Sequence, residues 1–256
     1  MKPIAILNNG PLRREKQAFL AACGGDHDAV FGRAASLPAS AFADFDIEGG
    51  SDLPDPAHFS GVILTGSAAM VTDRHPWAER QAAWVRQHRD RLPMLGVCFG
   101  HQLLTHALGG EVGWTPSGPE YGTVEITLQP AAASDRLFGG LGTSLRAQAA
   151  HSQSALRLPD DAVLLASGAS GIQAARFGTV TWGIQFHPEF DPAIMRGLFS
   201  AYRDQYAEIG LDVAAIEREL TETPGATGIV RKFIEICRAA APLTAWAADS
   251  QPLAAI

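Results

Sequence analysis

The stretch Met94-Leu-Gly-Val-Cys98-Phe-Gly-His-Gln102 sets a cysteine between two glycines, where a short apolar run passes into a helix-forming run. The pattern predicts a buried strand at residues 93–97 and a helix at residues 99–108. A nucleophile at such a junction is typical of a nucleophile elbow, here with cysteine in the place of serine. Gly96 and Gly100 leave room for a strained turn that lifts the cysteine side chain above the sheet.

Cys98 therefore has both a chemical and a structural interpretation. The N-terminus of the following helix would lie beside its sulfur, where backbone N–H groups and the helix dipole favour thiolate over thiol. The structural alternative is a buried cysteine at a tight turn, which is the usual role of an isolated cysteine. The stretch on its own leaves both interpretations open.

Apolar runs of strand length alternate with helical segments along the first 108 residues. Strands are predicted at 3–7, 61–65 and 93–97, and helices at 12–22, 77–89 and 99–108. The intervening segment 34–60 is rich in proline and glycine and is predicted to be loop. Alternation of strand and helix implies a parallel sheet covered by helices on both faces.

The middle of the chain changes character. Strands are predicted at 122–128, 145–149, 162–166, 172–177 and 180–185, and they are expected to be antiparallel strands that extend or flank the parallel core. Asp191 then predicts a helix N-cap, with Pro192 in the first turn. Two further helices are predicted around 213–220 and 229–237, and a loose tail at 241–256.

A second motif, Thr181-Trp-Gly-Ile-Gln-Phe-His187-Pro-Glu189, ends one of these strands. The proline biases His187 towards an extended conformation, in which residues i and i+2 project to the same side. Glu189 can therefore accept a hydrogen bond from the imidazole and leave its other nitrogen free to take a thiol proton. Taken alone, a histidine before proline at a strand end is more often structural.

Together these motifs resemble the class I glutamine amidotransferases, the triad glutaminase family. The pieces between them match in the same order, so that the resemblance covers about residues 3–200: Gly61-Val-Ile-Leu-Thr-Gly66-Ser, Leu108-Gly-Gly-Glu-Val112, Glu120-Tyr-Gly122 and Ala150-His151-Ser152. The resemblance implies an α/β fold with an open, mostly parallel, flavodoxin-like sheet, extra antiparallel strands and C-terminal helices. It places an amidotransferase domain at 1–203 and a helical extension and tail, packed on that domain, at 204–256.

The resemblance also implies roles for individual residues. Cys98 would attack the side-chain amide of glutamine, His187 would carry the proton and Glu189 would orient His187. The backbone N–H groups of Phe99 and of the residue at or next to Gly66 would stabilise the oxyanion.

Three further residues match positions that hold the substrate. Gln102 would touch the bound glutamine, and the backbone of Ser152 and Gln153 would hold its amino-acid end. Family members commonly have a second glycine in the loop where this chain has Ser67 after Gly66. His101 is expected to pack and to form hydrogen bonds rather than to act as a base. Four further residues are candidates for the lining or edge of the site, although a structural role is expected for them: Asn8, Arg74, His75 and Trp77.

Composition and charge exclude several classes of function. The 256 residues carry a formal net charge of 20 − 27 = −7 and no run of Lys and Arg, so neither nucleic acid nor a membrane is expected as a partner. Three scattered cysteines predict no disulfide framework, no metal site and a reducing, cytoplasmic location. No phosphate-loop or dinucleotide fingerprint is present, so no cofactor is expected. Neither a signal peptide nor a membrane span is expected.

Three functions remain in competition. The first is a glutamine amidotransferase that yields glutamate and ammonia for a synthase on another chain, resembling the amidotransferase part of GMP synthase in its Glu120-Tyr-Gly122 motif. The second is a γ-glutamyl peptidase with the same triad, a branch that Asp73-Arg74-His75-Pro76-Trp77 resembles. The third is a catalytically idle regulatory or interaction protein, which the intact triad disfavours.

Overall fold

Eleven strands and eight α-helices form the described part of the chain, residues 2–10 and 17–240 of a computed structural model. The strands are β1 (Ile4–Asn8), β2 (Phe42–Asp46), β3 (Gly61–Leu64), β4 (Met94–Val97), β5 (Glu111–Trp114), β6 (Glu120–Leu128), β7 (Ser144–His151), β8 (Gln153–Arg157), β9 (Val163–Gly168), β10 (Gly171–Arg176) and β11 (Thr181–Ile184). The helices are α1 (Gln17–Cys23), α2 (His27–Ala35), α3 (Pro76–His88), α4 (Phe99–Ala107), α5 (Pro192–Ala201), α6 (Arg203–Glu208), α7 (Val213–Glu219) and α8 (Pro224–Ala239).

Nine strands form one sheet in the order β2-β1-β3-β4-β11-β10-β9-β6-β7. The first five are parallel, and the last four extend the sheet with antiparallel pairing. The parallel part has the strand order of flavodoxin-like folds. The predicted α/β fold, a parallel core with an antiparallel extension, is confirmed. A separate two-stranded sheet pairs β5 with β8.

Alternating side chains of the central strands divide between two apolar layers. Ile4 and Ile6 of β1 face a cluster that includes α2 and α8, whereas Ala5 and Leu7 face a cluster that includes α3 and α4. Such alternation follows from the strand geometry, in which successive side chains point to opposite faces. Helices therefore cover both faces, as predicted.

The strand predicted to be antiparallel at 180–185 is antiparallel to only one of its two neighbours, so the prediction is wrong for the other. β11 pairs antiparallel with β10, but it lies parallel to β4, with Thr181 opposite Met94. Its four residues are all buried. A continuous buried run is what a central parallel strand requires. The short connection from β10 predicts a hairpin, but it gives no indication that β11 also pairs with β4.

Several elements were not predicted from the sequence. The segment 34–60, predicted to be loop, contains β2, an edge strand with two aspartates, a residue type depleted in strands. Helix α2, just before it, includes Gly32 and spans only nine residues. The pairing of β5 with β8 joins segments about 40 residues apart, which local patterns do not reveal.

The C-terminal helices follow the sequence expectations closely. The carboxylate of Asp191 caps α5 by accepting a hydrogen bond from the backbone N–H of Ile194 at 2.8 Å. In α8, the apolar stripe that includes Ile229 and Phe233 joins the same core as Ile4. The domain division at residue 203 stays a prediction, and residues 12–16 and 241–256 lie outside the described residues. No helix within the described ranges is long and apolar enough to cross a membrane.

Glycines allow α4 to start close against the sheet. An added Cβ at Gly96 would lie 2.5 Å from the carbonyl oxygen of Gly100, and one at Gly100 would overlap the carbonyl oxygen of Leu64. Both distances are shorter than van der Waals contact, and backbone atoms cannot move aside as a flexible side chain can. The glycine spacing of the opening motif is therefore a packing requirement.

We expect Gly100→Ala to lower the free energy of unfolding by about 1–3 kcal/mol, because the methyl group forces α4 away from β3. Gly228→Ala is the matched control, since Gly228 also lies in a helix but has open space around its Cα. The control should raise stability by about 0.5–1 kcal/mol. Urea unfolding measures both changes, and equal effects of the two substitutions would contradict the packing argument.

Candidate active site

Three neighbouring parallel strands end at one place. Gly66 follows β3, Cys98 follows β4 and His187 follows β11, and these strands are adjacent in the order β3-β4-β11. Their carboxyl ends share an edge of the sheet, where open α/β folds bind ligands. The parallel pairing of β11 with β4 is therefore what brings His187 to the cysteine.

Cys98 has a strained backbone. Its φ of 52° and ψ of −106° lie in a region that side chains rarely adopt. Such conformations cost about 1–3 kcal/mol and persist where the surroundings impose them. Here the Cys98 N–H donates to the carbonyl of Ile184 at 2.8 Å, and its carbonyl accepts from the N–H of Gln102 at 3.1 Å. The elbow expected from the sequence is present.

His187 and Glu189 form a buried pair. Nδ1 of His187 lies 2.8 Å from Oε1 of Glu189, and each residue is only 6% exposed. The backbone N–H of His187 donates to the carbonyl of Gln148 in β7 at 2.8 Å. The ring of Phe190 stacks on the imidazole, with centroids 4.2 Å apart and planes 10° apart. The ring of His187 is therefore fixed at Nδ1 and on one face, and its backbone is held by β7.

The charges around His187 determine its protonation. Burial by itself lowers the pKa of the imidazole, but the carboxylate of Glu189 and the sulfur of Cys98 outweigh burial and raise the pKa above its ordinary value. Both neighbours favour the imidazolium, since each stabilises positive charge on the ring. The arrangement can hold on His187 a proton that comes from Cys98.

Gly66 and Phe99 lie where oxyanion donors are expected. A Cβ on Gly66 would lie 2.9 Å from Cε1 of His187 and 3.6 Å from Cβ of Cys98, so only glycine fits this approach. Phe99 begins α4, and the first N–H groups of a helix have no partner within it. Both backbones therefore border the space in front of the sulfur.

The loop that carries Gly66 is anchored by Asn9. The side-chain amide of Asn9 donates to the carbonyl of Thr65 at 3.0 Å, and its backbone N–H donates to Oγ1 of Thr65 at 2.9 Å. Sequence analysis considered Asn8 for the site instead. Its neighbour Asn9 carries no motif signal, and only the pairing of β1 with β3 brings it to this loop.

Gln102 links the helix to the segment that follows β7. Its side-chain nitrogen donates to the carbonyl of Gln153 at 2.7 Å and to Oε1 of Gln185 at 3.2 Å. Both N–H bonds of the amide are then used, which leaves its oxygen for a ligand. The Oγ atom of Ser152 lies 3.3 Å from the hydroxyl of Tyr121.

Hydrogen bonds of His151 and Glu120 hold the segment that follows β7 in place. Nε2 of His151 lies 3.0 Å from Oε2 of Glu120, and Nδ1 lies 3.0 Å from the carbonyl of Gln153. The carboxylate also accepts hydrogen bonds from Ser170 and Gln173. Burial raises the pKa of Glu120, but these hydrogen bonds outweigh burial and lower it. The corner at 151–153 is thus fixed by a buried hydrogen-bond network around the carboxylate of Glu120.

A cavity of about 700 Å³ opens above these residues. All eight residues predicted to form the site contribute to its lining: Cys98, His187, Glu189, Gly66, Phe99, Gln102, Ser152 and Gln153. Sequence analysis missed a second group, made up of the apolar and aromatic residues Phe19, Tyr121, Phe190, Leu198, Tyr202 and Tyr206. Of these, only Tyr121 and Phe190 lie within or directly beside a quoted motif, Glu120-Tyr-Gly122 and His187-Pro-Glu189.

Four residues considered at the edge of the site, Asn8, Arg74, His75 and Trp77, are not among those that line the cavity. Arg74 pairs with Glu79 at 3.0 Å, and Trp77 packs on Phe99 with ring centroids 5.3 Å apart. Arg74 and Trp77 thus make structural contacts, and a structural role for all four residues stays a prediction. Within residues 2–10 and 17–240, no group of three His, Cys, Asp or Glu side chains could hold a metal ion.

The contacts of His101 differ in one respect from those expected from the sequence. It is fully buried and packs against Phe177, but neither ring nitrogen has a hydrogen-bond partner among the described residues. The predicted packing is present and the predicted hydrogen bonding is not. Burial lowers the pKa of His101 to about 3, and the nearby His151 adds to the effect. The residue is therefore neutral in the fold.

Comparison with known proteins gives the same family at several levels. A family model described as class-I glutamine amidotransferase matches residues 44–199. The glutamine-hydrolysing GMP synthase of Ignicoccus hospitalis has a subunit that is 34% identical over 138 residues, which cover 53% of this chain and 70% of that protein. The chain spans only 24% of the similar GMP synthase from Porphyromonas gingivalis, at 35% identity over 50% of this chain. Gamma-glutamyl peptidase 5 from Arabidopsis thaliana is 30% identical, over 56% of this chain and 59% of that protein.

Solved structures show the same fold. A glutamine amidotransferase from Thermotoga maritima superposes with a TM-score of 0.72 at 19% identity, over 94% of this chain and all of the other. A second, from Methylobacillus flagellatus, gives a TM-score of 0.68 at 24% identity, over 93% of both chains.

The neutral state of His101 predicts a pH dependence of stability. Below about pH 6.5 the unfolded chain gains a proton on His101 that the folded chain does not accept. The free energy of unfolding should therefore fall as the pH drops from about 6.5 towards 3, by up to about 1.4 kcal/mol per pH unit.

His101→Gln should flatten this slope in urea unfolding between about pH 7 and pH 5, whereas the control His58→Gln, at an exposed position, should keep it. Equal slopes in the two variants would show that His101 does not contribute.

Proposed function

This chain belongs to the class I glutamine amidotransferase family, and on that premise we propose that it hydrolyses the side-chain amide of glutamine through a thioester on Cys98. The observation that carries the proposal is the strained Cys98 elbow facing a buried His187–Glu189 pair at one edge of the sheet. A buried imidazole with a carboxylate on Nδ1 and a sulfur nearby is the arrangement that activates a cysteine nucleophile.

In the proposed reaction, the Cys98 sulfur attacks the amide carbon, and its proton moves to His187. Backbone N–H groups at Phe99 and next to Gly66 stabilise the negative oxygen that forms. The carbon–nitrogen bond breaks as His187 gives its proton to the leaving ammonia. Water, deprotonated by His187, then hydrolyses the thioester and releases glutamate. Glu189 acts as a positioning residue, since it fixes the ring and stabilises its positive charge.

The amino-acid end of glutamine is proposed to lie against Gln102, Ser152 and Gln153. The free side-chain oxygen of Gln102 can accept a hydrogen bond from the substrate amino group. The network of His151 and Glu120 keeps this corner in place without contact with the substrate. No cofactor is needed for these steps.

We propose that the ammonia serves a synthase on another chain. Support comes from the relatives that are named as subunits of GMP synthase in Ignicoccus hospitalis and Methanothermobacter thermautotrophicus. The acceptor of the nitrogen stays open, and a cytoplasmic location stays a prediction.

A γ-glutamyl peptidase is the second candidate, because one relative carries that name and the cavity is larger than glutamine requires. Both functions use the same thioester and differ only in the group that leaves.

We expect Cys98→Ala to abolish the release of ammonia and glutamate from glutamine, since no other described cysteine lies in the cavity lining. Cys237→Ala is the matched control. That thiol lies in the core, where burial raises its pKa, so the control should keep its activity. A glutamine-analogue electrophile should label Cys98 alone. Unchanged turnover in Cys98→Ala would refute the proposed reaction.

Glu189→Gln tests the role of the carboxylate. The substitution should lower kcat about a hundredfold or more, because the amide can present the wrong hydrogen-bonding group to His187. It also removes the charge that raises the pKa of the imidazole, so the alkaline limit of the pH–rate profile should move to lower pH. A fall in kcat with an unmoved alkaline limit would mean that Glu189 has only a packing role.

A further inference from the structure

The lining of the cavity over Cys98 contains two chemically different groups of residues. Gln102, Ser152 and Gln153, from α4 and the β7–β8 corner, are polar. The second group, which we call the aromatic wall, consists of Phe19, Phe190, Leu198, Tyr202 and Tyr206. Volumes of roughly 300–1,000 Å³ hold ligands much larger than one amino acid. At about 700 Å³, the cavity has room for a further group beside a glutamine bound at the polar residues.

The aromatic wall is rigid. Phe19 meets Phe190 edge to face, with ring centroids 5.9 Å apart, and Phe190 stacks on His187. Tyr206 packs edge to face on Tyr121, at 5.0 Å. Phe19, Phe190 and Tyr206 are each less than 9% exposed, so their rings are held by the core. A preformed apolar surface of this kind binds an apolar group without first having to order itself.

The position of the wall relates it to the leaving group. His187 is the acid that protonates the departing nitrogen, and Phe190 lies flat against its ring. A substituent on that nitrogen would therefore leave beside Phe190, the residue of the aromatic wall that contacts the acid. Ammonia would use none of this surface.

We propose that the site accepts γ-glutamyl amides whose leaving amine carries an aromatic or other large apolar group. The inference rests on the proposed thioester chemistry and specifies its substrate class. The γ-carbonyl carbon bonds to the sulfur of Cys98, the carbon–nitrogen bond breaks, and His187 gives the nitrogen its proton. Water then cleaves the thioester, so the products are glutamate and the free amine.

The test compares γ-glutamyl benzylamide with γ-glutamyl ethylamide and with glutamine. Benzylamine and ethylamine are both alkylamine leaving groups, so the pair isolates the effect of the ring. Burial of a phenyl ring on the aromatic wall should raise kcat/KM for the benzylamide at least about tenfold over the ethylamide. Turnover of glutamine with no preference for the benzylamide would overturn the inference and leave the proposed function intact. No turnover of any substrate, with Cys98 not labelled by the electrophile, would overturn both.

A variant locates the effect at the wall. Leu198→Trp places a larger side chain at the wall, and Leu198→Met is the control of similar volume. The ratio of kcat/KM for benzylamide to that for glutamine should fall about tenfold or more in Leu198→Trp and stay within about twofold in Leu198→Met. A loss of folded protein would lower both rates together and leave the ratio unchanged. In folded Leu198→Trp, confirmed by labelling of Cys98 with the electrophile, an unchanged ratio with a preference for benzylamide still present would place the apolar group elsewhere and refute this site.

Discussion

The backbone of Cys98 is the constraint on which the site depends. A cysteine with positive φ can stand between a buried strand and a helix only if both are fixed close together. Gly96 and Gly100 permit that approach, and the neighbouring strand supplies the carbonyl of Ile184 that holds the Cys98 N–H. The sheet thus stabilises a conformation that the isolated segment would avoid, and the sulfur is directed into the cavity as a result.

The buried ionic pair of His187 and Glu189 is the second constraint, and the antiparallel half of the sheet helps to hold the pair in place. Taking His187 and Glu189 out of water is unfavourable unless each charge faces a partner. The two side chains face each other through one hydrogen bond, and Oε2 of Glu189 has no hydrogen-bond partner among the described residues. Strand β7 holds the backbone of His187 through Gln148. The same strand continues to His151 and its network with Glu120. The strands beyond β11 therefore support both the acid–base pair and the substrate corner.

Much of this could be predicted from sequence because the informative signals are local. The elbow, the strand before it and the cap at Asp191 each depend on a few consecutive residues. The errors come from interactions between distant segments. The parallel partner of β11 lies about 85 residues earlier, the edge strand β2 carries aspartates that strands usually avoid, and Asn9 reaches its loop only through the sheet. The motifs and the family resemblance predicted eight site residues, all of which line the cavity, but they assigned no role to the aromatic residues that also line it.

The aromatic residues to which the motifs assigned no role bear on substrate specificity. The family match ends at residue 199 and begins at 44, and it includes the elbow, the His187–Glu189 pair and the polar corner. Phe19, Tyr202 and Tyr206 of the aromatic wall lie outside it. The chemistry of a thioester requires the same few groups whatever amine departs, whereas the surface along which that amine leaves is free to differ. In this chain, α1 and the junction of α5 with α6 form that surface, and they pack on each other through Phe19, Phe190 and Phe199. On the proposed chemistry, residues outside the matched segment 44–199 therefore help to set how large a leaving group the site accommodates.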